Sequence, residues 1–304
     1  MRVAAIDCGT NAIRLLIADV TGDRLTDVSR RMEIVRLGEG VDRTGMLSPA
    51  AIARTRAALA GYAAEIKESE AVRVRMCATS ASRDASNARD FRDMVRGVLG
   101  VDPEVITGEQ EAGLSFLGAV KGLAAPGPYL VFDLGGGSTE FVTGTDSVDR
   151  AISVDIGCVR MTERHLHGDP PTARELAAAE RDVTAAVDAA LAAVPGREAR
   201  TLVGLAGTVT TVAALAHDLP EYDSTRIHHS EISRTAVARV TGELLGMTVE
   251  QRRALPVMHP GRADVIGAGA LIMRIVMERS GHDTVIASEH DILDGIAFGL
   301  AEAA

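Results

Sequence analysis

The chain has 304 residues, 46% hydrophobic and 24% charged, a length that points to two domains and a composition that excludes a disordered chain. Lys and Arg number 32 against 42 Asp and Glu, for a formal charge of −10, and there is no Trp, which argues against nucleic acid as a partner and against a base-stacking surface. Three scattered cysteines (Cys8, Cys77 and Cys158), a charged Asp7 inside the first apolar run and no apolar stretch of about 18 residues predict a cytoplasmic protein with no disulfide framework, zinc site, signal peptide or membrane partner.

In chain order, Val3–Asp7 and Ile13–Val20 read as strands joined by the Cys8-Gly9-Thr10-Asn11 turn, with a third strand over Leu25–Leu37. Ser48-Pro49 reads as an N-cap and first-turn proline, opening a helix with Ile52, Leu59, Tyr62 and Ile66 at helical spacing. Val72–Ala78 is predicted as a strand, Asp84–Leu99 as one helix and Glu104–Ile106 as a short strand. Thr107 to Gln110 matches a capping box that starts a helix running to about Lys121. Leu123-Ala124-Ala125-Pro126-Gly127-Pro128 is the strongest punctuation, so the domains are predicted as 1–124 and 125–304, with room for the last helix to pack back on the first. Beyond it, Tyr129–Asp133, Thr139–Val142 and Ala151–Val154 read as strands, and Thr172 with Glu175 caps a long Ala-rich helix. Thr201–Ala206 reads as a strand entering a helix at Gly207-Thr208; the remainder is read as helical apart from a strand at Thr284–Ile286.

The charge is uneven: residues 1–122 carry 17 basic and 17 acidic side chains, so the whole deficit lies in the second part. An internal repeat sets the architecture. Ala5-Ile6-Asp7-Cys8-Gly9-Thr10-Asn11 matches Val131-Phe132-Asp133-Leu134-Gly135-Gly136-Gly137 as strand, Asp, apolar residue, Gly and turn, so the chain reads as two copies of one fold.

Gly135-Gly136-Gly137-Ser138-Thr139 is bare backbone followed by two hydroxyls, suited to surrounding phosphate oxygens, with Asp133 placed to share a divalent metal with them. The same run also reads as a tight hairpin needing positive φ. Gly204 to Thr211 places Gly207-Thr208 where a strand opens a helix, which is either an anion site or an ordinary turn with Thr as N-cap. Neither a Walker A loop nor a Rossmann fingerprint is present. Cys8 reads as a packed thiol, and the adjacent His228 and His229 point in different directions, away from a shared metal.

Five segments occur together and in order: Asp7 to Arg14, Ala78 to Asn87 with Arg83 at its centre, Thr107 to Ala112, Asp133 to Glu140, and Gly207-Thr208, followed by Arg262 to Ile266. This set resembles the exopolyphosphatase/guanosine pentaphosphate phosphatase family in its short form. The resemblance implies an α/β protein of two ribonuclease-H-like domains, as in actin-like ATPases, with an interdomain cleft. It also implies an enzyme that releases terminal orthophosphate from inorganic polyphosphate, and from guanosine pentaphosphate, with Mg²⁺ or Mn²⁺ as cofactor.

By the same resemblance Glu111 is the base that activates water, with Glu109 as its neighbouring alternative. Asp133 and Glu140 lie near the metal, joined by Asp7. Gly9, Thr10, Asn11, Arg14, Arg83, Gly135, Gly136, Gly137, Ser138, Thr139, Gly207 and Thr208 face phosphate; Ser80 and Ser82 are further donors. Ala12 stands where relatives often carry Ser, removing one hydroxyl. The sequence leaves open whether the chain is a monomer or a homodimer. Other readings are an ATP-dependent phosphotransferase of the same superfamily and a noncatalytic polyphosphate or alarmone sensor.

Overall fold

The structure, a computed structural model, describes residues 1–302. Its residues divide into two units, Met1–Lys121 together with the chain from Asp291 onward, and Gly122–His290.

The first unit begins with β1 (Arg2–Cys8), β2 (Ala12–Thr21) and β3 (Arg24–Ile34), then α1 (Val41–Thr44), α2 (Pro49–Ser69), β4 (Arg73–Ala78), α3 (Ser80–Asp84), α4 (Ala88–Leu99), β5 (Glu104–Val105) and α5 (Gly108–Val120). Its sheet has the order β3-β2-β1-β4-β5: an antiparallel meander, with β4 and β5 added in parallel. Two-residue alternation sorts β1 cleanly. Ala4, Ile6 and Cys8 enter the core shared with Leu59 and Tyr62 of α2 and Phe91 of α4, whereas Val3 and Ala5 enter the core on the opposite face. Asp7 continues that second row, and so does Arg14 ahead of Leu16 on β2.

The second unit holds β6 (Tyr129–Leu134), β7 (Thr139–Gly144), β8 (Val148–Val154), α6 (Cys158–His165), α7 (Ala173–Ala193), β9 (Thr201–Leu205), α8 (Ala206–Ala216), α9 (Ser224–Ile227), β10 (Glu231–Ser233), α10 (Arg234–Gly246), α11 (Val249–Arg253), α12 (Ile266–Ser280) and β11 (Thr284–Ala287). Its sheet order is β10-β11-β9-β6-β7-β8. The meander β6-β7-β8 with β9 parallel to β6 reproduces β1-β2-β3 with β4 parallel to β1. The final helix α13 (Ile292–Glu302) belongs to the first unit, where Ile292, Leu293, Ile296, Ala297 and Phe298 fill the core shared with Val3 and Ala5. No helix among the described residues is long and apolar enough to cross a membrane.

Capping residues mark the helix starts as the sequence reading places them. Ser48 Oγ accepts the Ala51 N–H at 3.1 Å, and both Thr107–Gln110 and Thr172–Glu175 form reciprocal capping boxes. Four departures from the expected elements have local causes. The helix expected over Asp84–Leu99 is split into α3 and α4. Asn87 bonds both the N–H and the carbonyl of Leu47 at 2.8 and 3.0 Å, and Ser86 bonds the Gly45 carbonyl, which holds this connection out of helical geometry. β3 stops at Ile34, because the N–H groups of Val35, Arg36 and Gly38 turn to the Thr10 and Asn11 carbonyls. The helix α6 has no capping side chain to announce it; the carbonyls of Gly135 and Gly136 cap it instead. The edge strand β10 is only three residues long, too short for its alternation to register.

Candidate active site

In the first unit, register places Asp7 directly opposite Arg14. The Arg14 Nη2 and Nε atoms donate to Asp7 Oδ2 at 2.6 and 3.0 Å, and Nη1 donates to Asp291. The guanidinium is thus shared by two buried carboxylates, rather than presented only to a ligand as its expected phosphate role supposes. Burial pushes the Asp7 carboxyl up from its ordinary value, with Arg14 acting in the opposite direction. The turn itself closes with Gly9 N–H on the Ala12 carbonyl at 2.9 Å. The Thr10 carbonyl accepts from Gly38, and the Asn11 carbonyl from Val35 and Arg36. Because a trans peptide points its C=O and N–H in opposite directions, the Asn11 and Ala12 N–H groups face away from that segment. The Thr10 methyl fills the space over Gly38, where a Cβ would come within 2.3 Å of it.

Glu111 lies in the first turn of α5 and is buried, whereas Glu109 is exposed; the difference separates two adjacent candidates that the sequence left close together. Arg83 Nη1 donates to the Ile106 carbonyl at 3.0 Å and to Glu111 Oε2 at 3.3 Å. Arg83 and Glu111, assigned separate roles by resemblance, are therefore neighbours. The Ser82 hydroxyl is buried beside Arg83 in sequence and has no hydrogen-bond partner among the described residues.

In the second unit the equivalent register position pairs Asp133 with Glu140. Two carboxylates replace the acid and arginine of the first unit, and both are buried. Ser153 on β8 donates its hydroxyl to Glu140 Oε1 at 2.7 Å. The turn is held from one side by α6: Cys158 N–H bonds the Gly135 carbonyl at 3.0 Å, and Val159 and Arg160 N–H bond the Gly136 carbonyl at 2.9 and 3.1 Å. Arg160 Nε bonds the Gly137 carbonyl at 2.6 Å. With three successive carbonyls engaged, the N–H groups of Gly136, Gly137 and Ser138 are turned away from α6, an arrangement suited to anion oxygens. None of Gly135, Gly136 and Gly137 has positive φ, so a left-handed turn is not why glycines stand here. Close approach is a reason on the other side, since a Cβ on Gly157 would lie 2.3 Å from the Gly136 oxygen. Thr139 commits its hydroxyl proton to the Ile156 carbonyl at 2.6 Å.

Gly207 sits in the first turn of α8, after Ala206 at φ 70°. The Arg262 guanidinium covers it, so that a Cβ there would come within 2.1 Å of Nη2, and Arg262 Nη1 donates to Thr211 Oγ1 at 2.9 Å. Thr208, by contrast, is turned into packing: a Cβ on Gly269 would come within 2.5 Å of its hydroxyl.

Among the described residues, no three His, Cys, Asp or Glu side chains are arranged to hold a metal by themselves. Contrary to the expectation that these neighbours diverge, the His228 and His229 rings stack at 3.7 Å, with His290 alongside His228 at 4.3 Å. Sequence reasoning missed Ser153, Gly157, Arg160 and Asp291. Of these only Asp291 carried a signal, an acidic residue followed three positions later by Asp294, in the manner of a helix cap.

The model of the Ppx/GppA phosphatase family matches residues 16–303. Exopolyphosphatase 2 of Mycobacterium tuberculosis is 54% identical over 314 residues, spanning 99% of this chain and 98% of that protein. A crystal structure of an exopolyphosphatase-like protein superposes with a TM-score of 0.96 at 43% identity, covering 100% of this chain and 99% of that one. The Aquifex aeolicus Ppx/GppA family member superposes at 0.84 with 33% identity, covering 100% and 99%. With its two repeated α/β units and these likenesses along its whole length, the chain belongs to the Ppx/GppA phosphatase family.

Proposed function

We propose that this protein is an exopolyphosphatase, releasing terminal orthophosphate from inorganic polyphosphate by attack of water on the phosphoanhydride, and that guanosine pentaphosphate is a second substrate. The observation that carries the reading is the second hairpin, where Gly136, Gly137 and Ser138 N–H groups face one way beside the opposed carboxylates Asp133 and Glu140. Such a turn binds phosphate oxygens through fixed dipoles that need no rearrangement as charge develops. Relatives named exopolyphosphatase support the choice of substrate.

Glu111 is the base: its buried carboxylate takes the proton of the attacking water. Arg83, anchored on the Ile106 carbonyl, restricts the orientation of that carboxylate. Asp133 and Glu140 are hard oxygen donors directly opposed across two strands, which suits Mg²⁺ or Mn²⁺. A divalent ion held by these two carboxylates would supply positive charge to offset that of the phosphates and the leaving group. Ser153 would fix Glu140 for this purpose.

The test is orthophosphate release from polyphosphates of several lengths, guanosine pentaphosphate and ATP, with and without Mg²⁺. Glu111→Gln keeps the shape and removes the base, so kcat is expected to fall about 10²–10⁴-fold while polyphosphate still binds. A Glu111→Gln enzyme with wild-type kcat, or a wild-type protein that binds polyphosphate and never releases orthophosphate, overturns the reading.

A further inference from the structure

The start of α13 is linked to Asp7 through Arg14 and packs against α5, the helix that carries Glu111. The Asp291 side chain is buried, with one oxygen accepting the Leu293 N–H at 3.0 Å and the other paired with Arg14 Nη1. Arg14 in turn holds Asp7 through its two remaining nitrogens. The Asp291 backbone makes the second connection. A Cβ on Gly118 of α5 would lie 1.9 Å from the Asp291 oxygen, and one on Gly295 of α13 would lie 2.0 Å from the Leu114 oxygen. Each helix therefore keeps a glycine where the other's carbonyl presses in, and the pair cannot slide without collision. Glu111 stands two turns before Gly118 on that same α5.

The node is braced from behind. Asp294, 1% exposed, accepts the Asp291 N–H at 2.9 Å and pairs with Arg30 Nη2 at 2.7 Å. Arg30 reaches on to Asp27 at 2.8 Å. A continuous run of charged groups thus links Asp7 to the far strand β3, with Asp291 at its centre.

We infer that Asp291 is a positioning residue for the phosphoanhydride cleavage: it holds Arg14 as a strut behind Asp7 and, through its carbonyl, seats the helix that carries Glu111. This rests on the exopolyphosphatase reading for its kinetic consequences, though not for its structural ones.

Asp291→Asn tests the inference in the full-length protein, since Asn keeps the acceptor for Leu293 and loses the charge facing Arg14. Two readouts are needed: the kinetics of orthophosphate release, and hydrogen exchange of peptides covering residues 1–20 and 108–120. The expected result is a kcat lower by about 10–100-fold with KM changed less than about threefold, and faster exchange in both peptides. Arg14→Lys, which keeps the charge but cannot bridge two carboxylates, should give the same split. Combining the two substitutions should cost no more than either alone, because both break one strut. An unchanged kcat, or unchanged exchange in either peptide, overturns the inference. A KM that falls by more than about threefold in Asp291→Asn also overturns it, because the released Arg14 would then be binding phosphate. If wild-type protein releases no orthophosphate from any substrate, the functional reading fails, and the exchange measurement still decides whether Asp291 holds the two segments.

Discussion

The two hairpins share a backbone plan and differ in one residue of the pair that matters. Both close a short turn after a strand-end aspartate, and in both the turn carbonyls are captured by the segment that follows, which leaves N–H groups facing the other way. Opposite Asp7 stands Arg14; opposite Asp133 stands Glu140. The first hairpin is internally neutralised, and Asp291 restores one negative charge to it. The second sets two carboxyl side chains directly opposite each other, with the Ser153 hydroxyl donating to Glu140. Repetition of the fold has therefore produced one hairpin whose acid is paired with an arginine and another that opposes two acids, the pair proposed above to hold Mg²⁺ or Mn²⁺.

The largest expected effect follows from that difference. Asp133→Asn should raise the Mg²⁺ concentration giving half-maximal rate at least about tenfold and lower kcat by about 10²-fold or more at limiting metal. Asp7→Asn should shift the metal requirement less. Breaking a buried ion pair costs about 3–5 kcal/mol, and the lower end applies to Asp7→Asn because Arg14 keeps Asp291. Titrations of rate against Mg²⁺ and thermal melts of both variants check the pattern; equal metal shifts would erase the distinction between the hairpins. Full activity of the wild-type enzyme in excess EDTA would remove the metal from the reading altogether.

Arginine in the first unit gives the next effect. With Arg83 tied to both Ile106 and Glu111, Arg83→Ala should lower kcat by loosening the base, as well as weaken polyphosphate binding by roughly ten- to a hundredfold if its remaining donors meet phosphate. A KM that rises with ionic strength in wild type, and less so in the variant, measures the second contribution. A pure kcat loss with salt-independent KM assigns Arg83 to positioning alone.

The turns themselves separate by what presses on them. On Gly157 a Cβ would meet the Gly136 peptide, whereas on Gly38 it would meet the Thr10 side chain. Backbone cannot move aside as a side chain can. Gly157→Ala is therefore expected to destabilise by about 1–3 kcal/mol and to reduce kcat by disturbing the Gly136 and Gly137 N–H groups. Gly38→Ala should cost less in both, and comparing urea unfolding with turnover for the two variants ranks them.

How much of this was legible in the sequence depends on whether a feature is local. The Asp-x-Gly repeat exposes both hairpins, and capping residues announce α2, α5 and α7, because each signal lies within a few positions of the element it marks. Register also follows once the turn is known, so Asp7 facing Arg14 and Asp133 facing Glu140 were implicit in the spacing. What sequence could not reach were partners far along the chain. Asp291 meets Arg14 across 277 positions, and the cap of α6 is the carbonyl row of a hairpin more than 20 residues earlier, with no side-chain signature at all. The split between α3 and α4 was hidden for the same reason, since it depends on Asn87 reaching Leu47.

Cysteine chemistry supplies the smallest expected effect and the last contrast between the hairpins. Cys8 follows Asp7 in the first, and Cys158 opens the helix that braces the second. A helix N-terminus ordinarily lowers a thiol's pKa. At Cys158 the leading N–H groups are already bonded to the Gly135 and Gly136 carbonyls, and burial pushes the thiol up to about 11. Burial also raises Cys8, with Asp7 adding to the rise. At pH 8 Cys158 would then be ionised to about one part in a thousand, against roughly a quarter for an ordinary cysteine of pKa about 8.5. Iodoacetamide at pH 8 is expected to leave both unmodified in the native protein, with activity intact, and to label them in urea. Because the raised thiols favour the protonated form in the fold, their contribution to stability is present below the unfolded value near 8.5 and declines as pH climbs toward 11. Rapid native labelling of Cys158, read by mass spectrometry, would mean that α6 retains free N–H groups at its start, and hence that it does not hold the Gly135–Gly137 turn in place.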